Sequence, residues 1–85
     1  MYHTAMRDQI RSILGTTLGI DEADLPVDVS QDTCQRWSSL RHMILIASLE
    51  EEFGVRFTAE EILSMTSLES IVATFEQRGV LAGAS

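Results

Sequence analysis

Trp37-Ser38-Ser39-Leu40-Arg41-His42-Met43-Ile44-Leu45-Ile46-Ala47-Ser48-Leu49-Glu50-Glu51-Glu52-Phe53-Gly54 opens on two hydroxyls, runs through apolar residues and closes on three carboxylates and a glycine. A serine at the head of such a run caps a helix, because its Oγ accepts one of the orphan backbone N–H groups of the first turn. A glycine at its foot takes the left-handed backbone that stops one. The stretch therefore predicts a helix with Ser38 as N-cap, Ser39 as first helical residue and Phe53 as last, stopped by Gly54. The inward face is predicted to carry Leu40, Met43, Ile46 or Ala47, Leu49 and Phe53. Ile44 falls between these positions and is left on the outer side, in a secondary contact.

On the N-terminal side, Met6, Ile10, Ile13, Leu14 and Leu18 recur at helical spacing, and Gly19 followed by Ile20 reads as a left-handed stop with its hydrophobic contact. Gly15 weakens the middle of this helix. Asp21 to Arg36 has no sustained period and holds the only proline, Pro26. It reads as a long connector tethered by Leu25, Val27 and Val29 over one end of the bundle. Its acidic residues lack the spacing and central glycine of a calcium loop. On the C-terminal side, Thr58-Ala59-Glu60-Glu61 is a capping-box pattern opening a short helix through about Ser64. Thr66-Ser67-Leu68-Glu69 repeats the device for a helix that buries Leu68, Ile71, Val72 and Phe75 and ends at Gly79. Ala82 to Ser85 reads as a mobile tail. The fold class is all-α: a four-helix bundle with three longer helices, a short third helix and a long first loop.

A chain of 85 residues supports one core and is expected to form a single domain over 1–85. Thirteen acidic against six basic residues, a formal charge of -7, repel nucleic-acid backbones and anionic membranes and favour partners with basic surfaces. The apolar runs fall short of the roughly 18 residues a membrane span requires, and Met1 to Ile10 has no signal-peptide pattern. Cys34 is the single cysteine and has no internal partner for a disulfide. A cytoplasmic monomer is expected.

His3 and His42 are the only histidines. His42 lies three residues beyond Ser39, so the two share a helical face as a conceivable nucleophile and base. No third residue orients the imidazole and no glycine-rich turn builds an oxyanion site, so catalysis is not expected. One cysteine and two distant histidines make no zinc site. Ser39 has another role open to it. The first turn of a helix offers unpaired N–H groups and the positive end of the macrodipole, which stabilise an attached phosphodiester. The plainer reading is that both serines only cap.

Trp37-Ser38-Ser39-Leu40, with His42, Leu45-Ile46, Leu49-Glu50, Phe53-Gly54, Phe57, Glu61-Ile62 and Ser67, resembles the acyl carrier proteins, and the similarity runs from Leu18-Gly19-Ile20-Asp21 to Phe75. The resemblance implies the same four-helix layout. It also implies a 4'-phosphopantetheine arm, drawn from coenzyme A, on the serine of an Asp-Ser-Leu motif, here Ser39, followed by Leu40. Ser38 stands where the family has aspartate. It caps equally well but lacks the charge a phosphopantetheinyl transferase reads. Further partners implied are an acyl- or aminoacyl-loading ligase and downstream synthase or transferase enzymes. The docking face would comprise Ser38, Leu40, Arg41, Ile44, Glu50 and Glu51. Arg41 and Ile44 replace expected acids, which predicts specialised partners in a lipid, polyketide or other secondary-metabolite pathway rather than the central fatty-acid synthase. A cavity between helices two, three and four, lined by Met43, Ile46, Phe57, Ile62 and Ile71, would shelter part of an attached chain. The alternatives are an unmodified carrier-like adaptor that acts by protein binding and a small hydrolase using Ser39 and His42.

Overall fold

The computed structural model describes residues 2–79, with side chains from residue 6 onward. It is all-helical: α1 (Tyr2–Leu18), a 3-10 turn (Glu22–Asp24), α2 (Ser39–Phe53), α3 (Ala59–Ser64) and α4 (Leu68–Arg78). The reading of Ala82 to Ser85 as a tail lies outside the described residues.

On α1, Met6, Ile10, Leu14 and Leu18 form one buried stripe at four-residue spacing, facing α2 and α4. The helix ends as its glycine predicts. Gly19 takes φ 70°, its N–H donates to Thr16 O at 3.3 Å, and the Ile20 N–H reaches back to Gly15 O at 2.9 Å, with Ile20 half-buried against the core. Gly15 makes this cap possible, since a Cβ there would stand 2.8 Å from Ile20 O. Two arginines from elsewhere serve the negative end of α1. Arg41 Nη1 donates to Leu18 O at 3.3 Å, and the Arg36 guanidinium lies against Gly19.

The long connector is tied down by backbone and side-chain bonds. Arg11 Nη2 donates to Glu22 O at 2.8 Å and Leu25 O at 3.1 Å. Gln31 N–H donates to Thr66 O at 2.8 Å and Leu68 N–H to Val29 O at 3.1 Å, around an isolated antiparallel bridge between Ser30 and Ser67. Leu25 and Val29 are buried, but Val27 is exposed, contrary to the expected tether. The 3-10 turn and the Pro26–Val29 turn replace the two-residue period on which that expectation rested.

Helix α2 has the expected bounds. Ser38 is extended and its Oγ accepts from Arg41 N–H at 3.2 Å, while Gly54 takes φ 66°. The inward face differs. His42, Leu45, Ile46, Leu49 and Phe53 are buried, whereas Leu40 and Met43, expected inside, face solvent along with Ile44 and Ala47. The helix is apolar on two sides, so spacing alone offers two candidate faces, and the bundle takes the one that includes Leu45 and Leu49.

Helix α3 carries the Thr58–Glu61 capping box, with Thr58 N–H to Glu61 Oε1 at 2.9 Å and Glu61 N–H to Thr58 Oγ1 at 3.1 Å. The cap of α4 sits one residue later than expected. Ser67, not Thr66, is the N-cap, its reciprocal partner is Ser70, and Glu69 instead pairs with Arg7 at 2.7 Å. Leu68, Ile71, Val72 and Phe75 are buried as read. Phe75 meets Phe53 edge-on at 4.7 Å between centroids and Phe57 at 5.5 Å. Arg78 lies over Phe57 and pairs with Glu61 at 3.1 Å, clasping the end of α4 to the start of α3.

Two outcomes test these devices. Gly15→Ala is expected to destabilise the fold by about 1–3 kcal/mol through the clash with Ile20 O, although helix propensity alone favours it by about 1 kcal/mol. Urea unfolding gives the sign, and a stabilised variant would overturn the packing argument. The Thr58 N–H, and then Arg78, hold the Glu61 carboxyl below its ordinary value of 4.5. A carboxyl depressed in the folded state adds stability that is full above its unfolded value and is lost as pH falls through the folded one. Between about pH 6 and about pH 3, wild type is therefore expected to lose more stability than Glu61→Gln, which thermal melts across that range measure.

Candidate functional site: the opening of helix α2

The segment that delivers the two serines is fixed from below and open above. Trp37 is buried just before the cap, its N–H bonded to Cys34 O at 3.0 Å. Its indole Nε1–H donates to His42 Nδ1 at 3.0 Å, and His42 Nε2 sits 2.8 Å from Ile62 O. An indole N–H only donates and a carbonyl only accepts, so these partners assign His42 as the neutral tautomer with its proton on Nε2.

This corrects the view of His42 as a surface residue available to Ser39. It is 7% exposed, and both ring nitrogens are engaged with groups other than a serine. The pair does not form a nucleophile and base. The sequence carried one signal for this arrangement, a tryptophan followed five residues later by a histidine; the third member, Ile62, is 20 residues beyond His42.

Above this floor, Ser38 and Ser39 are both exposed, but they do different things. Ser38 Oγ is occupied by the Arg41 N–H, and Ser38 O accepts His42 N–H at 2.8 Å. Ser39 Oγ has no hydrogen-bond partner among the described residues. The N–H groups of Ser39 and Leu40 precede the first intrahelical bond and remain open to a ligand at the positive end of the dipole. An exposed hydroxyl over unpaired donors fits the attachment of a phosphodiester.

The surface beside Ser39 is apolar rather than acidic. Leu40, Met43 and Ile44 are 71%, 54% and 48% exposed, at the spacing of one helical face. Arg41, expected to point outward, is half-buried, with Nη1 directed at Leu18 O and Arg36 O. Glu50 is likewise half-buried, its carboxylate accepting Phe57 N–H at 2.9 Å, so Glu51 and Glu52 are the acids α2 presents. Of the residues expected to line an internal cavity, Ile46, Phe57 and Ile71 are buried and Ile62 half-buried, but Met43 lies outside.

The division of labour between the serines has a stability signature. Ser38→Ala is expected to cost about 1 kcal/mol through loss of the cap, and Ser39→Ala less than about 0.5 kcal/mol. Chemical denaturation of both variants checks this, and equal costs would mean that the two hydroxyls share the cap.

Among the described residues no helix is long and apolar enough to cross a membrane, and no three His, Cys, Asp or Glu side chains converge to hold a metal. No curated protein matches the chain. A family model described as the phosphopantetheine attachment site matches residues 8–75, from the second turn of α1 to Phe75 near the end of α4. Members of that family are non-catalytic carriers with covalently attached 4'-phosphopantetheine, in agreement with the all-α bundle. The chain belongs to the phosphopantetheine attachment site family.

Proposed function

We propose that Ser39 bears the 4'-phosphopantetheine arm, and that residues 1–85 form one carrier domain that ferries an acyl or aminoacyl group in a specialised lipid or secondary-metabolite pathway. The single observation that carries this reading is the exposed, unpartnered Ser39 hydroxyl above the open N–H groups of α2, with capping already assigned to Ser38. The arm supplies a terminal thiol on which the cargo is held as a thioester. The chain supplies position: Trp37, His42 and Arg41 fix the turn, and the dipole of a 15-residue helix favours the phosphodiester. His42 does not serve Ser39 as a general base, because both its ring nitrogens are taken, and removal of the serine proton falls to the phosphopantetheinyl transferase.

The exposed face of α2 supports a particular kind of partner. Leu40, Met43 and Ile44 give it an apolar centre, and Glu51 and Glu52 an acidic end. A loading ligase or downstream synthase suited to it has an apolar patch opposite the first turns and basic residues opposite the last. With Ser38 in place of an acid, the transferase has less charge to read at the attachment turn. We place the carrier in the cytoplasm as a monomer.

The deciding experiment incubates the unmodified protein with coenzyme A and a panel of phosphopantetheinyl transferases and reads intact masses. A single phosphopantetheine addition is expected on wild type and Ser38→Ala, and none on Ser39→Ala. An adduct that survives Ser39→Ala moves the site. No adduct with any transferase leaves the chain an unmodified adaptor.

A further inference from the structure

A groove of about 500 Å³ runs between Ile20, just past the end of α1, and residues 26–36 of the connector. Its lining is apolar at Ile20, Pro26 and the buried Val29. The polar side chains it presents differ in what they already hold. The Thr33 hydroxyl is engaged with Ser30. Gln35 and Arg36 are exposed, and neither side chain has a hydrogen-bond or ion-pair partner among the described residues. The Arg36 guanidinium lies against Gly19, but the carbonyl end of α1 is already bonded by Arg41 through Leu18 O. Arg36 is therefore an unspent cation beside an apolar groove, in a chain whose net charge is -7. It stands three residues before Ser39, at most about 11 Å of extended chain.

We infer, on the reading that Ser39 is the attachment point, that this groove receives the phosphopantetheine arm when no partner holds it, with Arg36 paired to the phosphodiester. The match is chemical. Counted from the serine, the arm carries a phosphodiester anion, a carbon bearing two methyl groups, a hydroxyl and two amides. Arg36 supplies the cation. Ile20, Pro26 and Val29 supply an apolar surface for the dimethyl carbon. The free Gln35 amide supplies a donor and an acceptor for the hydroxyl and the amides. Each contact is weak alone, but tethering at Ser39 holds the arm near the groove at an effective concentration in the millimolar range, so weak contacts suffice. An arm kept on the connector side leaves Leu40, Met43 and Ile44 clear. The face that α2 offers to a partner and the resting place of the arm then do not compete.

Amide NMR on the full chain separates the outcomes. The unmodified chain is compared with the same chain carrying a cargo-free arm, confirmed by intact mass as a single addition on Ser39. The backbone amides of Ile20, Thr33 and Gln35 are expected to shift together with residues 38–41. The groove shifts are expected to shrink at high salt and in Arg36→Gln, and to persist in Arg36→Lys. Arg36→Gln removes no side-chain bond seen in the fold, so the bundle is expected to stay intact. Shifts confined to residues 38–41, shifts at Met43 and Ile62 instead of the groove, or equal groove shifts in wild type and Arg36→Gln overturn the proposal. If no transferase loads the chain, the attachment reading fails on its own, and free 4'-phosphopantetheine at millimolar concentration tests the groove on the unmodified chain. Saturable shifts at Ile20, Thr33 and Gln35 are then expected, with binding weakened about 2–5-fold by Arg36→Gln or by the use of pantetheine, which lacks the phosphate. No shift at those three amides overturns the proposal.

Discussion

A buried imidazole with a donor on one side and an acceptor on the other sets the geometry of this molecule. His42 takes the Trp37 indole N–H on Nδ1 and gives its own proton to Ile62 O, which joins the end of the long connector, the first turn of α2 and the last turn of α3. Each partner satisfies a polar group that burial would otherwise penalise by about 1–3 kcal/mol. The chain has one tryptophan, and it is spent here rather than on a surface. With Trp37 held below, the next two residues emerge outward, and the cap and the open hydroxyl fall to Ser38 and Ser39 in that order.

The termini of the helices were legible because each is marked either by a side chain that caps its own backbone or by a glycine free to take the left-handed turn. Ser38, Gly54, Thr58 with Glu61, Gly19 and Gly79 all stand where local chemistry predicts. The orientation of α2 was not legible. A run in which Leu40, Met43, Ile44 and Ala47 compete with Leu45, Ile46, Leu49 and Phe53 has no single apolar side, and the choice is made by α1 and α4, which a local pattern cannot contain. The cap of α4 slipped by one residue for a related reason. Thr66 and Ser67 are both competent caps, and the tie is broken by Val29 O and Ser30, far earlier in the chain. The candidate site divided in the same way: Ser38 and Ser39 could be placed from sequence, whereas His42 was misjudged because its acceptor belongs to another helix.

Formal charge is a poor guide to the surface that α2 offers. Arg41 and Glu50 count in the net charge of -7, yet the first serves the carbonyl end of α1 and the second holds the backbone of Phe57. A partner approaching α2 meets an apolar slope running down to Glu51 and Glu52. Near Ser39 that face is apolar, and its acidic charge is confined to the far end of the helix.

The bonds that join Val29 and Gln31 to Leu68 and Thr66 tie the connector to the start of α4 across the whole of α2 and α3. Their closure sets an order of events during synthesis. While the chain emerges from the ribosome, residues 29–31 have no acceptor or donor to settle on until residues 66–68 have left the exit tunnel. Helix α2 can form before residues 66–68 emerge, but the connector behind it gains its full set of bonds only after they do.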